Sequence, residues 1–197
     1  MISFLKPGKD PALPSSYIPI SLLDTICKLF KKTLLAKILH EARKCGLMRD
    51  EQFGFRPRHS TSLLLANLVD RITRHFDENW LTVAVFRDVA KSFDTVWIDG
   101  LLYNLTLLNF PSYIVHTISS YFRGRTYEAS FQTATSFPCG MRAGLAQGGL
   151  VSPVLFILYV NDIPSPLHHV ELALCVDDTA IIATSRKPTL LVSYLKS

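Results

Sequence analysis

Apolar residues recur at three- and four-residue spacing through the front of the chain: Leu22, Ile26, Leu29, Phe30, Leu34, Ile38 and Leu39. That period predicts an amphipathic helix over 22–44 with these side chains on its buried face. Ser21 is placed to cap its start and Gly46 to end it, while Lys28, Lys31, Lys32 and Arg43 fall on the wet side. The opening run from Lys6 to Pro11 is turn-rich, and 52–62 reads as a loop broken by Gly54 and Pro57. A second helix is expected over 61–76, and the valine-bearing run 81–86 predicts a strand. Shorter helices are expected over 101–108 and 113–122, the second just after Pro111. Residues 126–131 alternate like a strand whose partner lies near Phe137, and Pro153 suits the first turn of a helix reaching about Asn161. The β-type runs 170–176 and 179–183 are separated only by Asp177-Asp178, which predicts a hairpin with two carboxylates at its tip. No repeat of fixed period is present. Strands and helices interleave, so the expected class is α+β.

Composition narrows the choices. The chain has 197 residues, 48% of them hydrophobic and 19% charged, enough apolar surface to exclude a disordered chain. Cys27, Cys45, Cys139 and Cys175 show no C-x-x-C spacing, so neither a zinc ribbon nor a redox motif is indicated. His168-His169 follows Pro164 and Pro166 and reads as a polar loop. No apolar run approaches the length of about 20 residues that spans a bilayer. The first eleven residues carry Lys6, Lys9 and Asp10 and no apolar centre, unlike a signal peptide. The expected compartment is therefore intracellular, nucleus or cytoplasm, with no membrane partner. Through Trp80 there are 13 Lys and Arg against 8 Asp and Glu; from Leu81 onward there are 8 against 8. The whole net charge of +5 thus lies in the first 80 residues. A basic front half suits a polyanion, although a solvated helix face would look the same.

Two acidic positions carry candidate chemistry. Asp88 ends an apolar strand, and Asp177-Asp178 stands at a hairpin tip 89 residues later. Phosphoryl transfer with two hard cations needs carboxylates delivered from separate rigid elements, converging so that the ions sit roughly 3.5–4 Å apart. Taken singly, an Asp at a strand end is usually a solvated boundary and an Asp-Asp pair usually a turn.

Five blocks in order change that weighting. Lys6-Pro7-Gly8-Lys9 followed by Tyr17-Ile18-Pro19-Ile20-Ser21 resembles a K-P-G-K…Y-R-P-I-S segment. The run from Gln52 through Arg56 and Arg58 to Thr61 resembles Q-x-G-F-R-x-x-R/H-S-T. Phe86 to Asp94 resembles F-L-D-V-x-K-A-F-D, Ala146-Gln147-Gly148-Gly149 with Ser152-Pro153 resembles P/A-Q-G-S/G-x-x-S-P, and Val176-Asp177-Asp178 resembles the x-D-D of a Y/F-A-D-D box. In this order and spacing they resemble the reverse transcriptase domain of non-LTR retrotransposons, most of all the insect jockey-like elements. The resemblance implies a right-hand polymerase core, with a fingers-like subdomain over 1–80 and a palm over 81–197, its antiparallel sheet packed on helices. It implies an RNA-directed DNA polymerase joining dNTP to a primer 3′-hydroxyl on an RNA template, with two Mg²⁺ ions, or Mn²⁺ in their place. It assigns Asp88 and Asp177 as metal ligands, Asp178 as a weaker carboxylate, and Val89 as a source of a carbonyl ligand. Phe93 corresponds to the aromatic that excludes a 2′-hydroxyl. Gln147-Gly148 corresponds to the loop along template and incoming base, Lys9 to a nucleotide contact, and Arg56 and Arg58 to nucleic-acid phosphate contacts.

The chain departs from that pattern at four places. Ile18 replaces an arginine expected on the triphosphate, Arg87 an apolar residue, Cys175 an aromatic, and Ser92 an alanine. On a strand, Arg87 shares the face of Val83 and Val85, opposite Asp88, where burial of an unpaired guanidinium would be costly. The chain ends 19 residues after Asp178, so a thumb and an endonuclease region are expected to be absent, as in a truncated, drifting copy. Two rival readings follow: a nucleic-acid-binding remnant without turnover, and a palm-fold enzyme acting on free nucleotides. The Arg56/Arg58 and Gln147-Gly148-Gly149 blocks argue against the second.

Overall fold

The computed structural model describes residues 1–21, 25–55, 59–89, 91–131, 133–164, 169–176 and 178–196, without the side chains of Pro19, Leu195 and Lys196. The chain folds as two compact units, each discontinuous in sequence. One comprises 1–47 and 91–160; the other comprises 48–90 and 161–197.

The first unit is built on helices. α1 (Thr25–Lys44) buries Lys31, Leu34, Ile38 and Ala42. Ile26, Leu29 and Phe30, expected on the buried face, are instead exposed at 78%, 68% and 51%. Among the described residues the buried stripe begins at Lys31, a residue expected on the wet side. Its ammonium lies 4.8 Å from the centre of the Tyr121 ring, so a lysine expected in water is covered by an aromatic face that attracts cations. Residues 22–24, including the expected helix start, lie outside the described set. At the other end the amides of Gly46 and Leu47 donate to the carbonyls of Arg43 and Ala42, and Gly46 takes φ +64°. That pattern of bonds closes a helix on a left-handed residue, as the glycine foretold.

α3 (Ile98–Leu107) and α4 (Ser112–Phe122) pack with α5 (Ser152–Tyr159) to form this unit's core. Leu101, Leu105, Ile114, Ile118, Leu155 and Leu158 are all essentially inaccessible. α5 is apolar all round, as a helix must be when it is covered on every side. A four-stranded sheet in the order β2-β1-β5-β6 joins β1 (Ile2–Leu5), β2 (Tyr17–Ile20), β5 (Ser130–Phe131) and β6 (Ala134–Thr135). β4 (Thr126–Tyr127) pairs separately with β7 (Cys139–Gly140). The single strand expected over 126–131 is therefore two short ones, whose partners Ala134–Thr135 and Cys139–Gly140 flank Phe137.

The second unit is a three-stranded antiparallel sheet in the order β3-β9-β8: β3 (Leu81–Asp88), β9 (Asp178–Ser185) and β8 (Val170–Cys175). α2 (Thr61–Asp77) packs on β3, and α6 (Pro188–Lys196), absent from the sequence reading, packs on β9. Ser60 caps α2 by accepting from the Leu63 amide at 3.1 Å. β3 runs two residues beyond its apolar stretch, because Arg87 and Asp88 find partners in Thr179 and Asp178. Arg87 is exposed, so the burial cost foreseen for it does not arise.

Candidate nucleotidyl-transfer site

Antiparallel register decides what faces what in the second unit. Asp88 on β3 is the direct partner of Asp178 on β9, and Asp178 is in turn opposite Cys175 on β8. Residues directly opposite each other project on the same face, with their Cβ atoms about 4.5–5.5 Å apart. Both carboxylates are exposed, and among the described residues neither takes part in an ion pair. Two like charges so placed repel each other. Opposed hard oxygen donors on rigid strands are what a small divalent cation accepts, because Mg²⁺ binds through one or two carboxylates and keeps several waters. No cluster of three metal-ligating side chains occurs among the described residues. Asp177, expected beside Asp88, lies outside the described set. Asp178 proves to be a ladder residue rather than part of the tip, paired with Asp88 and Cys175.

Val176 adopts φ +62°. A β-branched residue rarely enters the left-handed region, and something must hold it there. Gln52 does so. It is 2% exposed, and its side-chain oxygen accepts from the amides of Gly54 (2.9 Å) and Val176 (3.3 Å). The backbone flanking Gln52 docks on β8 as well: the Phe53 amide donates to the Leu174 carbonyl at 2.7 Å, and the Leu174 amide to Glu51 at 2.8 Å. A Cβ on Gly54 would stand 2.4 Å from a methyl of Val176, which explains the glycine. The Gln52-Phe53-Gly54 block therefore braces the turn that leads into Asp177, a role the sequence reading did not give it. Arg56 and Arg58, later in the same block, lie outside the described residues.

The first unit brings together the other family blocks. Phe93 is half-buried and stacks on Phe156, centroids 4.9 Å apart and planes at 22°. The Gln147 carbonyl accepts from the Ser21 amide at 3.1 Å, and its side-chain amide donates to Asp94 at 3.4 Å. Gly148, at φ +80°, passes so close to Ile20 that a Cβ would sit 3.2 Å from its side chain. Segments 19–21 and 146–149, more than a hundred residues apart, are thus one local structure. Ile18 lies mid-β2 opposite Phe4, partly exposed. Lys9 is exposed and closes a turn, its amide donating to the Lys6 carbonyl at 3.2 Å, with Gly8 at φ +71°. Val89 is half-exposed at the end of β3.

A facing carboxylate pair on an antiparallel sheet packed against helices is an arrangement that two-metal phosphoryl transfer can use. Comparison with known proteins narrows this: a family model of reverse transcriptase (RNA-dependent DNA polymerase) matches residues 5–196, and the chain belongs to that family. It is 34% identical over 187 residues to a probable RNA-directed DNA polymerase from transposon BS of Drosophila melanogaster, covering 91% of this chain and 20% of that protein. It is 30% identical over 193 residues to the RNA-directed DNA polymerase from mobile element jockey of the same species, covering 94% and 21%. The chain thus spans about a fifth of the length of these relatives. Among solved structures, an apo telomerase from Candida tropicalis truncated from its C-terminal domain superposes with TM-score 0.55 at 13% identity, over 86% of this chain and 36% of that one. A second Candida tropicalis telomerase, in complex with a fragment of telomeric RNA, gives 0.56 at 13% identity, over 87% and 30%. The likeness to these two lies in the fold.

Proposed function

We propose that this chain is the catalytic core of a non-LTR retrotransposon RNA-directed DNA polymerase, with fingers over 1–80 and palm over 81–197. The observation that carries the reading is the direct opposition of Asp88 and Asp178 at the open end of the sheet. In the reaction a primer 3′-hydroxyl attacks the α-phosphate of a dNTP on an RNA template, and pyrophosphate leaves. Asp88, Asp177 and Asp178, with the Val89 carbonyl, would hold two Mg²⁺ ions, or Mn²⁺, which supply charge neutralisation to the phosphoryl oxygens. The chain's own residues do the positioning. Gln52 and Gly54 hold the turn before Asp177, and Phe156 supports the Phe93 ring so that it can lie below the incoming sugar. The Gln147-Gly148 loop, seated on Ile20-Ser21, lies along the template base. Lys9, Arg56 and Arg58 contact phosphates of nucleotide and nucleic acid.

Primer extension on poly(rA)/oligo(dT) with Mg²⁺ tests this. The expected result is dTMP incorporation lost in Asp88→Asn and in Asp177→Asn. Incorporation that survives both changes would overturn the site assignment. A second reading, nucleic-acid binding without turnover, is favoured by Ile18, which cannot donate to a triphosphate. A missing charge-assisted hydrogen bond of this kind costs about 1.5–3 kcal/mol. Hybrid binding without extension, with nucleotide affinity raised by Ile18→Arg, would support that second reading.

A further inference from the structure

Away from the carboxylates, the first unit contains a cavity of about 260 Å³ whose wall includes Trp97, Asp99, Arg123, Arg125 and Arg142. Backbone pairing assembles it from three separate stretches. Gly124, at φ +65°, turns the chain from α4 into β4, so that Arg123 and Arg125 flank the turn. The β4–β7 ribbon returns Arg142 beside them, the Met141 amide donating to the Arg125 carbonyl at 2.8 Å. Gly144 then donates to the Val96 carbonyl at 2.9 Å, which brings Trp97 to the same wall. A Cβ on Gly144 would lie 2.7 Å from the Asp94 carbonyl oxygen, so that approach needs glycine.

The contents of this wall are unusual. Three arginines and one acidic residue, Asp99, line it, and none of the three arginines is in an ion pair among the described residues. Arg125 is already ordered, its guanidinium carbon 5.0 Å from the centre of the Tyr121 ring and 5.3 Å from that of Phe122. One of its terminal nitrogens is buried and without a hydrogen-bond partner. Trp97 is 64% exposed, yet one face of its indole is held against Gly100, where a Cβ would clash at 2.4 Å. It is a fixed aromatic platform with an open face. Charge is distributed accordingly: the first unit carries 12 Lys and Arg against 6 Asp and Glu, the second 9 against 10.

A guanidinium held against two aromatic rings, with two exposed arginines and an exposed indole beside it, matches one phosphate and one base. We propose that this cavity binds a nucleotide of a single nucleic-acid strand, its base stacked on Trp97 and its phosphate held by Arg125 with Arg123 and Arg142. The chemistry is common to RNA and DNA. The inference leans on the polymerase reading only for the identity of the polyanion, since no catalytic residue takes part in it.

Two tryptophans are present, so Trp80→Phe leaves Trp97 as the sole emitter. In this background, with EDTA and no dNTP, hexamers of rU and dT are titrated. The expected result is quenching of Trp97 by both, and loss of that quenching with abasic strands of the same length. The exposed pair Arg123→Ala/Arg142→Ala should weaken binding at least tenfold and flatten the log–log salt dependence by about 0.7 per lost contact. Arg125 is left in place because its ring contacts also pack the fold. Should Trp80→Phe fail to fold, photo-crosslinking of a 5-iodouracil strand to the unmodified chain, mapped to Trp97, replaces the fluorescence. Absence of quenching or crosslink, an unchanged salt slope in the double variant, or an equal response to abasic strands or heparin would overturn the site. Asp88→Asn should abolish extension and leave the Trp97 response intact. A chain that does not polymerise therefore leaves this inference standing, and one that polymerises without the response overturns it alone.

Discussion

Asp88 shows how one residue gains meaning from the strand beside it. Its carboxylate faces that of Asp178 on the same side of the sheet, and the pair repels in the absence of a cation. Asp88→Asn should therefore raise the metal-free melting temperature by about 1–2 °C. Mg²⁺ should stabilise the unmodified chain and have little effect on the variant. Calorimetry with and without EDTA checks both, and a variant that melts lower in EDTA would contradict the proposed repulsion. Phe93 makes a second case. Its stacking on Phe156 would suit a core aromatic equally well, so selectivity has to decide its role. Phe93→Ala is expected to admit ribonucleotides in primer extension, measured as the ratio of dNTP to rNTP incorporation. An unchanged ratio would return the ring to a packing role. Arg87 needs no restoration: exposed on β3, it should be replaceable by Leu without a gain in stability, contrary to what burial would have required.

Among the elements, the β8–β9 hairpin depends on a segment far from it in sequence. Gln52 supplies an acceptor to Gly54 and to Val176, whose φ is unfavourable for a β-branched residue. Gln52→Leu would leave both amides without that acceptor, a cost of about 1–3 kcal/mol, and should lower the melting temperature by several degrees. Extension rate should fall more than hybrid affinity, because the turn before Asp177 loosens while phosphate contacts persist. Gly54→Ala should act in the same direction through its clash with Val176. Amide exchange across 174–180 offers a direct readout, and protection unchanged from the parent chain would refute the bracing role. The helices were read more easily than this hairpin. α2 begins at Thr61, where it was expected, and α1 closes on Gly46, a signal that acts through local backbone geometry.

Over the whole molecule, the comparison of charge is instructive. Along the sequence the positive surplus belongs to the first 80 residues, but folding redistributes it: 91–160 joins the front, and 48–90 joins the carboxylate-bearing strands. The surplus then becomes six on the first unit, while the second is slightly acidic. Binding to an RNA–DNA hybrid should weaken linearly with salt on a log–log scale. Single replacements of Lys9, Arg56 or Arg58 by Ala should each reduce the slope by somewhat less than the value of about 0.9 per contact on B-form DNA. Filter binding between low and moderate salt measures it, and a slope unchanged in all three variants would remove them from the interface. Among the described residues no helix is long and apolar enough to cross a membrane.

The longer helices, the strands bearing Asp88 and Asp178, the α+β class and the polymerase family were legible from residues alone, because periodicity and short motifs are local properties of the chain; β1, β2 and α6 were not. Asp88 at a strand end and Asp178 in a hairpin were visible as candidates in the same way. Their opposition across one ladder was not, since register depends on pairing between strands 90 residues apart. Nor could spacing reveal that Gln52 braces Val176, that Lys31 is covered by Tyr121, or that Arg123, Arg125 and Arg142 gather around Trp97. Each of these depends on which side chain fills a space or satisfies a donor left by a distant segment. Only packing and hydrogen-bond satisfaction in the folded chain select that partner.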